Sequence, residues 1–189
     1  MTLRSTTQHW GSVTRILHWL IALAVLAMIA AGLYAGSLDV STVEGDRQYF
    51  QVIDLHKSFG LIIIALATLR VLWRLGESSP VPPADMPRWE VLLARVAQLL
   101  LYLGLFVIPV SGFLWATAYG EPLRFFGTKL PTLIHVRGAT ATWAHHFHVI
   151  AAFALLAIIG LHLSGALKNH FVSRNDVLRK MLGIPTERT

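Results

Sequence analysis

Four long apolar segments dominate the hydropathy pattern of the chain. They cover roughly residues 16–36, 54–73, 90–118 and 144–168. A helix needs about 20 apolar residues to cross the hydrocarbon core of a bilayer, and each segment reaches that length. The pattern therefore predicts an all-α integral membrane four-helix bundle in the lipid bilayer. We expect a single domain over residues 1–189, with a surface tail at residues 169–189.

The composition agrees with a membrane protein. The chain is 54% hydrophobic and 14% charged, with a mean hydropathy of +0.58, which is too apolar for an ordinary soluble domain. Cysteine is absent, so disulfides, thiolate metal sites and haem attachment through Cys-x-x-Cys-His are excluded. The first segment ends in AAGLYAGS, which could be a signal-peptide cleavage site. Its length of about 20 residues favours a retained helix.

The basic residues predict how the chain is oriented. Most of the 16 Lys and Arg residues flank the helix ends that the positive-inside rule assigns to the cytoplasm, so both termini are expected there. The stretch from Asp39 to Arg47 is expected to be an acidic outer loop. The net charge of +6 is thus a topology signal, and no nucleic-acid partner is expected because the cations flank apolar helices.

Histidines lie inside the apolar segments, and their spacing is informative. His148 and His162 are 14 residues apart; at about 100° and 1.5 Å per residue they face roughly the same way, about 21 Å apart along the helix. His145 and His146 point roughly away and are expected at the outer interface. His148 is therefore the member of the HHFH stretch that we expect to face inward.

Each inward histidine has a counterpart at its own depth. His18, early in the first segment, matches His162, and His56, early in the second, matches His148. A lone membrane histidine is often only a polar contact between helices, but two depth-matched pairs indicate a function. Facing imidazoles with no thiolate or carboxylate suit axial ligation of haem iron better than zinc. The pattern predicts two b-type haems.

Two arginines follow His56 on the same helix. Arg70 is 14 residues further along and Arg74 one turn beyond it, so both point toward the inner haem, where propionates need cationic partners. The alternative is that they are interfacial anchors whose side chains reach the head groups.

Several segments resemble, in order, those of the prokaryotic cytochrome b561 family. They are RILHWL, HKSFG, PVSGF, GEPLRFFG and HVIAAFALLAIIGLHLSGALKNHF. The chain is most similar to small stand-alone di-haem members of that family, which include superoxide oxidases. The resemblance implies that His18 and His162 bind the cytoplasmic-side haem and that His56 and His148 bind the outer one, in the bacterial inner membrane. HHFH departs from the family, which usually has a single histidine there.

The resemblance also implies an activity, the oxidation of superoxide outside and the reduction of ubiquinone near the inner haem. The cations that could steer the superoxide anion are Lys57, Arg124, Lys129 and Arg137. They could equally anchor lipid head groups. The candidate quinone residues are Lys168, His170 and Arg174. The histidine could instead be a solvated interfacial residue.

A rival function is a cytochrome b subunit that links a hydrogenase or dehydrogenase to quinone. Such a subunit would need a redox partner protein on another chain, because this sequence contains no soluble catalytic domain. A histidine-lined metal transporter would need polar residues along its pathway. The first, third and fourth segments have almost none in their interiors, which disfavours that class.

Overall fold

A computed structural model describes residues 2–117, 123–131 and 138–184. In chain order the elements are α1 (Ser12–Ser37), α2 (Val43–Leu75), α3 (Arg88–Thr117), β1 (Arg124–Phe125), β2 (Thr128–Lys129), α4 (Ala139–Phe171) and α5 (Val177–Leu182). The helices α1 to α4 are each long and apolar enough to cross a membrane. The expectation of an all-α protein with four membrane helices is confirmed.

Each long helix covers its predicted segment almost completely, and α2 departs most from the prediction. It begins at Val43, so the expectation that residues 39–47 form a loop was wrong for the second half of that stretch. The hydroxyl of Thr42 accepts a hydrogen bond from the Gly45 amide at 3.0 Å, as an N-cap does. Glu44 and Asp46 lie in the first turn, where negative charge stabilises a helix.

The chain divides into two compact units, each containing one part of every long helix. We name the first the His18 unit; it comprises Met1–Ile21, Leu66–Leu103 and Leu155–Thr189. We name the second the His56 unit; it comprises Ala22–Ala65 and Gly104–Ala154.

The two units bury different sets of side chains. Leu17, Ile21 and Ala67 are buried in the His18 unit. In the His56 unit the buried set includes the hydroxyl side chains of Ser58 and Ser111. Many large aliphatic side chains of the membrane helices are exposed, which suits a surface facing lipid rather than water.

A buried carboxylate fixes the N-terminal segment within the His18 unit. The side chain of Glu77, just beyond α2, is 1% exposed. It accepts hydrogen bonds from the amide and hydroxyl of Ser5, both at 2.8 Å, and from the hydroxyl of Thr14. Burial raises the pKa of the Glu77 carboxyl, but the hydrogen bonds from Thr14 and Ser5 outweigh burial and leave this pKa below its ordinary value of 4.5.

A short hairpin belongs to the His56 unit. Arg124 pairs with Lys129 and Phe125 with Thr128, in antiparallel register. The two loop residues, Phe126 and Gly127, have φ angles of 46° and 85°, as a type I′ turn requires. The hairpin lies in the connection between α3 and α4, and α4 begins at Ala139, five residues before the predicted start of the fourth segment.

Candidate functional site

The four inward histidines form two facing pairs. The ring centroids of His18 and His162 are 6.3 Å apart, and those of His56 and His148 are 6.2 Å apart. A metal–imidazole bond is about 2.0–2.1 Å and a ring centre lies about 1.2 Å from its atoms, so two imidazoles on opposite sides of one metal have centroids about 6.4–6.6 Å apart. The spacing within each pair is slightly shorter than this but close to it, and it fits one metal ion between the rings.

The number of ligands separates haem from zinc. Within residues 2–117, 123–131 and 138–184, no three His, Cys, Asp or Glu side chains lie close enough to bind one metal ion. Each pair is thus a two-ligand site in the described part of the chain. Zinc requires a fuller set of protein ligands, whereas haem iron takes its remaining ligands from the macrocycle. The donor set fits haem.

Glycines lie beside both rings of the His56–His148 pair. A methyl group at Gly32 would lie 3.5 Å from Cε1 of His56, and one at Gly112 would lie 2.9 Å from Cε1 of His148. The His148 ring therefore packs directly against the backbone of α3, whereas beside the His56 ring α1 leaves room for a methyl group. Any side chain at position 112, even the methyl group of alanine, would crowd the His148 ring.

The ring nitrogens of this pair have unequal surroundings. His148 Nδ1 lies 2.9 Å from the carbonyl oxygen of Ile108 and 3.3 Å from the hydroxyl of Ser111. His56 Nδ1 is buried and has no hydrogen-bond partner among the described residues. An unpaired buried nitrogen is unusual, and it leaves the two rings of the pair in unequal hydrogen-bonding environments.

The other histidines of HHFH make different contacts. The His145 ring stacks on Trp115 of α3, with centroids 4.2 Å apart. His146 is exposed and its ring lies 5.4 Å from that of His145. Of this stretch, it is His148 whose ring faces His56.

Arg70 lies with the His18–His162 pair. Its guanidinium is close enough to interact electrostatically with the imidazoles of both His18 and His162. Its Nε donates to the Tyr102 hydroxyl at 3.0 Å, and its guanidinium lies 5.7 Å from the centre of the Tyr102 ring. Tyr102 therefore holds this cation in place near the pair. Binding of a haem propionate by Arg70 stays a prediction.

Arg74 contacts the segment just beyond α2 and the N-terminal segment. Its guanidinium lies over Trp10, 4.9 Å from the ring centre. It also donates to the Ser78 carbonyl at 3.2 Å and to the Ser79 hydroxyl at 2.6 Å. A propionate would have to share Arg74 with these partners, and its role in haem binding stays a prediction.

The hairpin brings two of the candidate steering cations together. Arg124 and Lys129 are direct cross-strand neighbours, an arrangement that is unfavourable for like charges. Lys57 lies on α2, 3.7 Å from Asp54. The next residue, Ser58, accepts a hydrogen bond from the Phe126 amide at 2.9 Å and so joins the hairpin to α2. Arg137 lies outside the described residues.

The three quinone candidates lie at or just beyond the end of α4. Lys168 donates to the carboxylate of Glu90 on α3. The half-buried His170 packs edge to face on Phe171, with ring centroids 4.7 Å apart. Arg174 follows the helix with a φ of 52°. The sequence analysis did not identify Glu90 as the partner of Lys168 or the Ile108 carbonyl as the partner of His148. Neither residue has a feature in a single sequence that would indicate such a contact.

The fold and the paired imidazoles define a membrane-spanning helical protein with two facing pairs of histidines. Comparison with known families gives the class a name: the model described as prokaryotic cytochrome b561 matches residues 9–183. The chain belongs to the prokaryotic cytochrome b561 family. Such proteins carry b-type haem and transfer electrons across a membrane, and the chain is accordingly a bacterial membrane cytochrome.

Three relatives are informative. Cytochrome b561 homolog 2 of Escherichia coli (strain K12) is 35% identical over 97% of this chain and 96% of its own length. Cytochrome b561 homolog 1 of the same strain is 23% identical over 88% of this chain and 92% of its own length. A Yersinia pestis protein named probable superoxide oxidase CybB is 28% identical over 68% of this chain and 73% of its own length.

Proposed function

We propose that the protein oxidises superoxide at its outer face and reduces ubiquinone at its cytoplasmic face. Two superoxide anions would each lose one electron and become two molecules of O2. One quinone would take up those two electrons and two protons and become quinol. The His18–His162 pair would hold one b haem and the His56–His148 pair another. A bound b haem supplies reversible one-electron transfer.

The observation that carries the proposal is the cationic hairpin. Its two basic side chains are direct neighbours, Arg124 and Lys129, and Ser58 joins the hairpin to α2 two residues after His56. Like charges opposite each other destabilise a hairpin, so a benefit elsewhere would explain them. Attraction of a small anion toward the His56–His148 pair is such a benefit. The Yersinia pestis relative supports the same substrate by its name.

At the other face we assign quinone binding to Lys168, His170 and Arg174. Lys168 is already paired with Glu90, so its charge is partly neutralised. His170 is then the residue best suited to donate a hydrogen bond to a quinone carbonyl and to pass on a proton from the cytoplasm. This assignment uses the orientation predicted from the Lys and Arg distribution, with both termini in the cytoplasm.

The purified chain tests the outer half of the proposal. Superoxide should reduce its haem in a stopped-flow experiment, and added salt should slow that step by screening the cations. Arg124→Gln should slow reduction by superoxide and weaken its salt dependence. Arg47→Gln is the matched control: it removes the same charge from the same unit, at an arginine paired with Glu44 at 3.1 Å, and should change the rate little.

The quinone half needs a separate variant. His170→Gln should leave haem reduction by superoxide unchanged and slow reoxidation by a soluble ubiquinone. His9→Gln, at an exposed histidine of the N-terminal segment, is the control and should slow neither step. If His170→Gln and His9→Gln behave alike, the quinone site lies elsewhere.

The rival function as an electron-transfer subunit predicts another outcome. A pure chain that does not react with superoxide, yet copurifies with a dehydrogenase or hydrogenase and passes its electrons to quinone, would be such a subunit. That result would contradict the superoxide proposal and leave the haem assignment intact.

A further inference from the structure

The His148 ring is confined by the backbone of α3, a helix that supplies none of the four paired histidines. A methyl group at Gly112 would lie 2.9 Å from Cε1 and 3.0 Å from Nδ1 of His148. Side-chain carbons do not approach ring atoms so closely, so alanine at this position would push the ring away. The ring cannot retreat freely, because His56 faces it at 6.2 Å between centroids.

The same turn of α3 also determines which ring nitrogen carries the proton. His148 Nδ1 lies 2.9 Å from the Ile108 carbonyl oxygen, and a carbonyl can only accept. Nδ1 must therefore be the protonated nitrogen of the neutral imidazole. The Nε2 lone pair is then free for a metal, as in histidine ligands whose second nitrogen donates to a carbonyl.

Ser111 completes the contact. Its side chain is buried, and its hydroxyl donates to the same Ile108 carbonyl at 2.7 Å while lying 3.3 Å from His148 Nδ1. The carbonyl oxygen thus has two side-chain partners, one from its own helix and one from α4. This arrangement fixes the ring more firmly than either contact alone.

We propose that Ile108, Ser111 and Gly112 of α3 form a cradle that positions His148 and makes it the stronger of two unequal haem ligands. The proposal rests on iron ligation by His148, which is part of the proposed function, and is independent of the superoxide chemistry. A hydrogen bond from Nδ1–H to a carbonyl makes a ligating imidazole more basic, and His56 Nδ1 has no such bond among the described residues. A more basic ligand stabilises the oxidised iron and lowers its midpoint potential.

Gly112→Ala is the first test, in the full-length protein purified with its haem. Displacement of the ring should lengthen the bond to the Ile108 carbonyl, raise the midpoint potential of one haem and shift its EPR signal. The second haem should be unaffected. Gly32→Ala is the matched control, because its methyl group would lie at an ordinary 3.5 Å from His56, and both haem potentials should stay unchanged.

Ser111→Ala is the second test and covers the case in which Gly112→Ala fails to bind haem or to fold. It removes a hydroxyl without adding bulk, so the protein should retain both haems and shift the potential and EPR signal of the same haem alone. Unchanged signals in both variants, or equal shifts in Gly112→Ala and Gly32→Ala, would overturn the cradle.

A ligand variant separates this inference from the proposed function. His148→Ala should lose the haem of the His56–His148 pair. If His148→Ala keeps that haem, the ligand assignment is wrong and the cradle fails with it. If His148→Ala loses the haem while both α3 variants leave its potential and EPR signal unchanged, the ligand assignment stands and only the cradle is rejected.

Discussion

The attachment of the hairpin to α2 depends on one hydroxyl, which makes Ser58→Ala a sharp test of the steering proposal. The Ser58 side chain is 0% exposed. Its hydroxyl donates to the Asp54 carbonyl at 2.8 Å and accepts from the Phe126 amide at 2.9 Å. Removing it leaves that amide without its partner in a contact that is partly buried.

The magnitude follows from the lost contact. The loss of a partly buried hydrogen bond costs about 0.5–1.5 kcal/mol. This cost favours local opening of the hairpin by about 2- to 12-fold. Amide hydrogen exchange of Phe126 should accelerate by the same factor, and the cations Arg124 and Lys129 should be held less firmly. Reduction by superoxide should then become slower and less sensitive to salt.

The control for this prediction is Ser41→Ala, which removes a hydroxyl bonded to the exposed Asp39 and should leave the exchange of Phe126 unchanged. An unchanged Phe126 exchange rate in Ser58→Ala would show that this hydroxyl does not hold the hairpin. Faster exchange with an unaltered reaction with superoxide would show that the hairpin does not guide the anion.

The remaining predictions concern the His18 unit and the topology. Glu77→Gln should weaken the bonds from Ser5 and Thr14 and lower stability by about 1.5–3 kcal/mol, measured by thermal unfolding in detergent. Because the pKa of Glu77 is lowered in the folded state, its contribution is present above about pH 4.5 and is lost as pH falls through the folded-state pKa. The Gln variant should lose that pH dependence, and an identical pH profile would contradict the sign. Tyr102→Phe frees Arg70 from its hydrogen bond and should shift the midpoint potential of one haem only; two equal shifts would argue against a local effect. A reporter fused to the C-terminus should be active in the cytoplasm, and an external signal would reverse the assignment of the two faces.

The helices and the histidine pairs were predictable because a membrane imposes simple rules. Lipid demands about 20 apolar residues per span, so hydropathy alone located all four long helices. In a regular helix the number of residues between two side chains determines whether they face the same way. The separation of His148 and His162 was therefore enough to choose His148 as the inward-facing histidine of HHFH. The start of α2 was misjudged because Glu44 and Asp46 look like loop residues, although their charge favours the first turn of a helix.

What the sequence did not reveal are contacts made by groups with no distinctive pattern. The Ile108 carbonyl is a backbone atom that any residue would supply. Gly112 is one of 14 glycines in the chain, and only the position of a ring on another helix distinguishes it. The partner of Lys168 is Glu90, which is 78 residues away in the chain. Pairings of this kind depend on how helices pack, which periodicity does not determine.

Helix α4 carries one histidine of each pair, and this limits how its length can change in evolution. Between His148 and His162 the apolar side chains can be exchanged for one another at little cost, since lipid accepts them all. An inserted or deleted residue is different, because it rotates one histidine by about 100° relative to the other and removes one ring from its partner. Related proteins with both pairs should therefore vary freely in residue type along this stretch but keep the same number of residues.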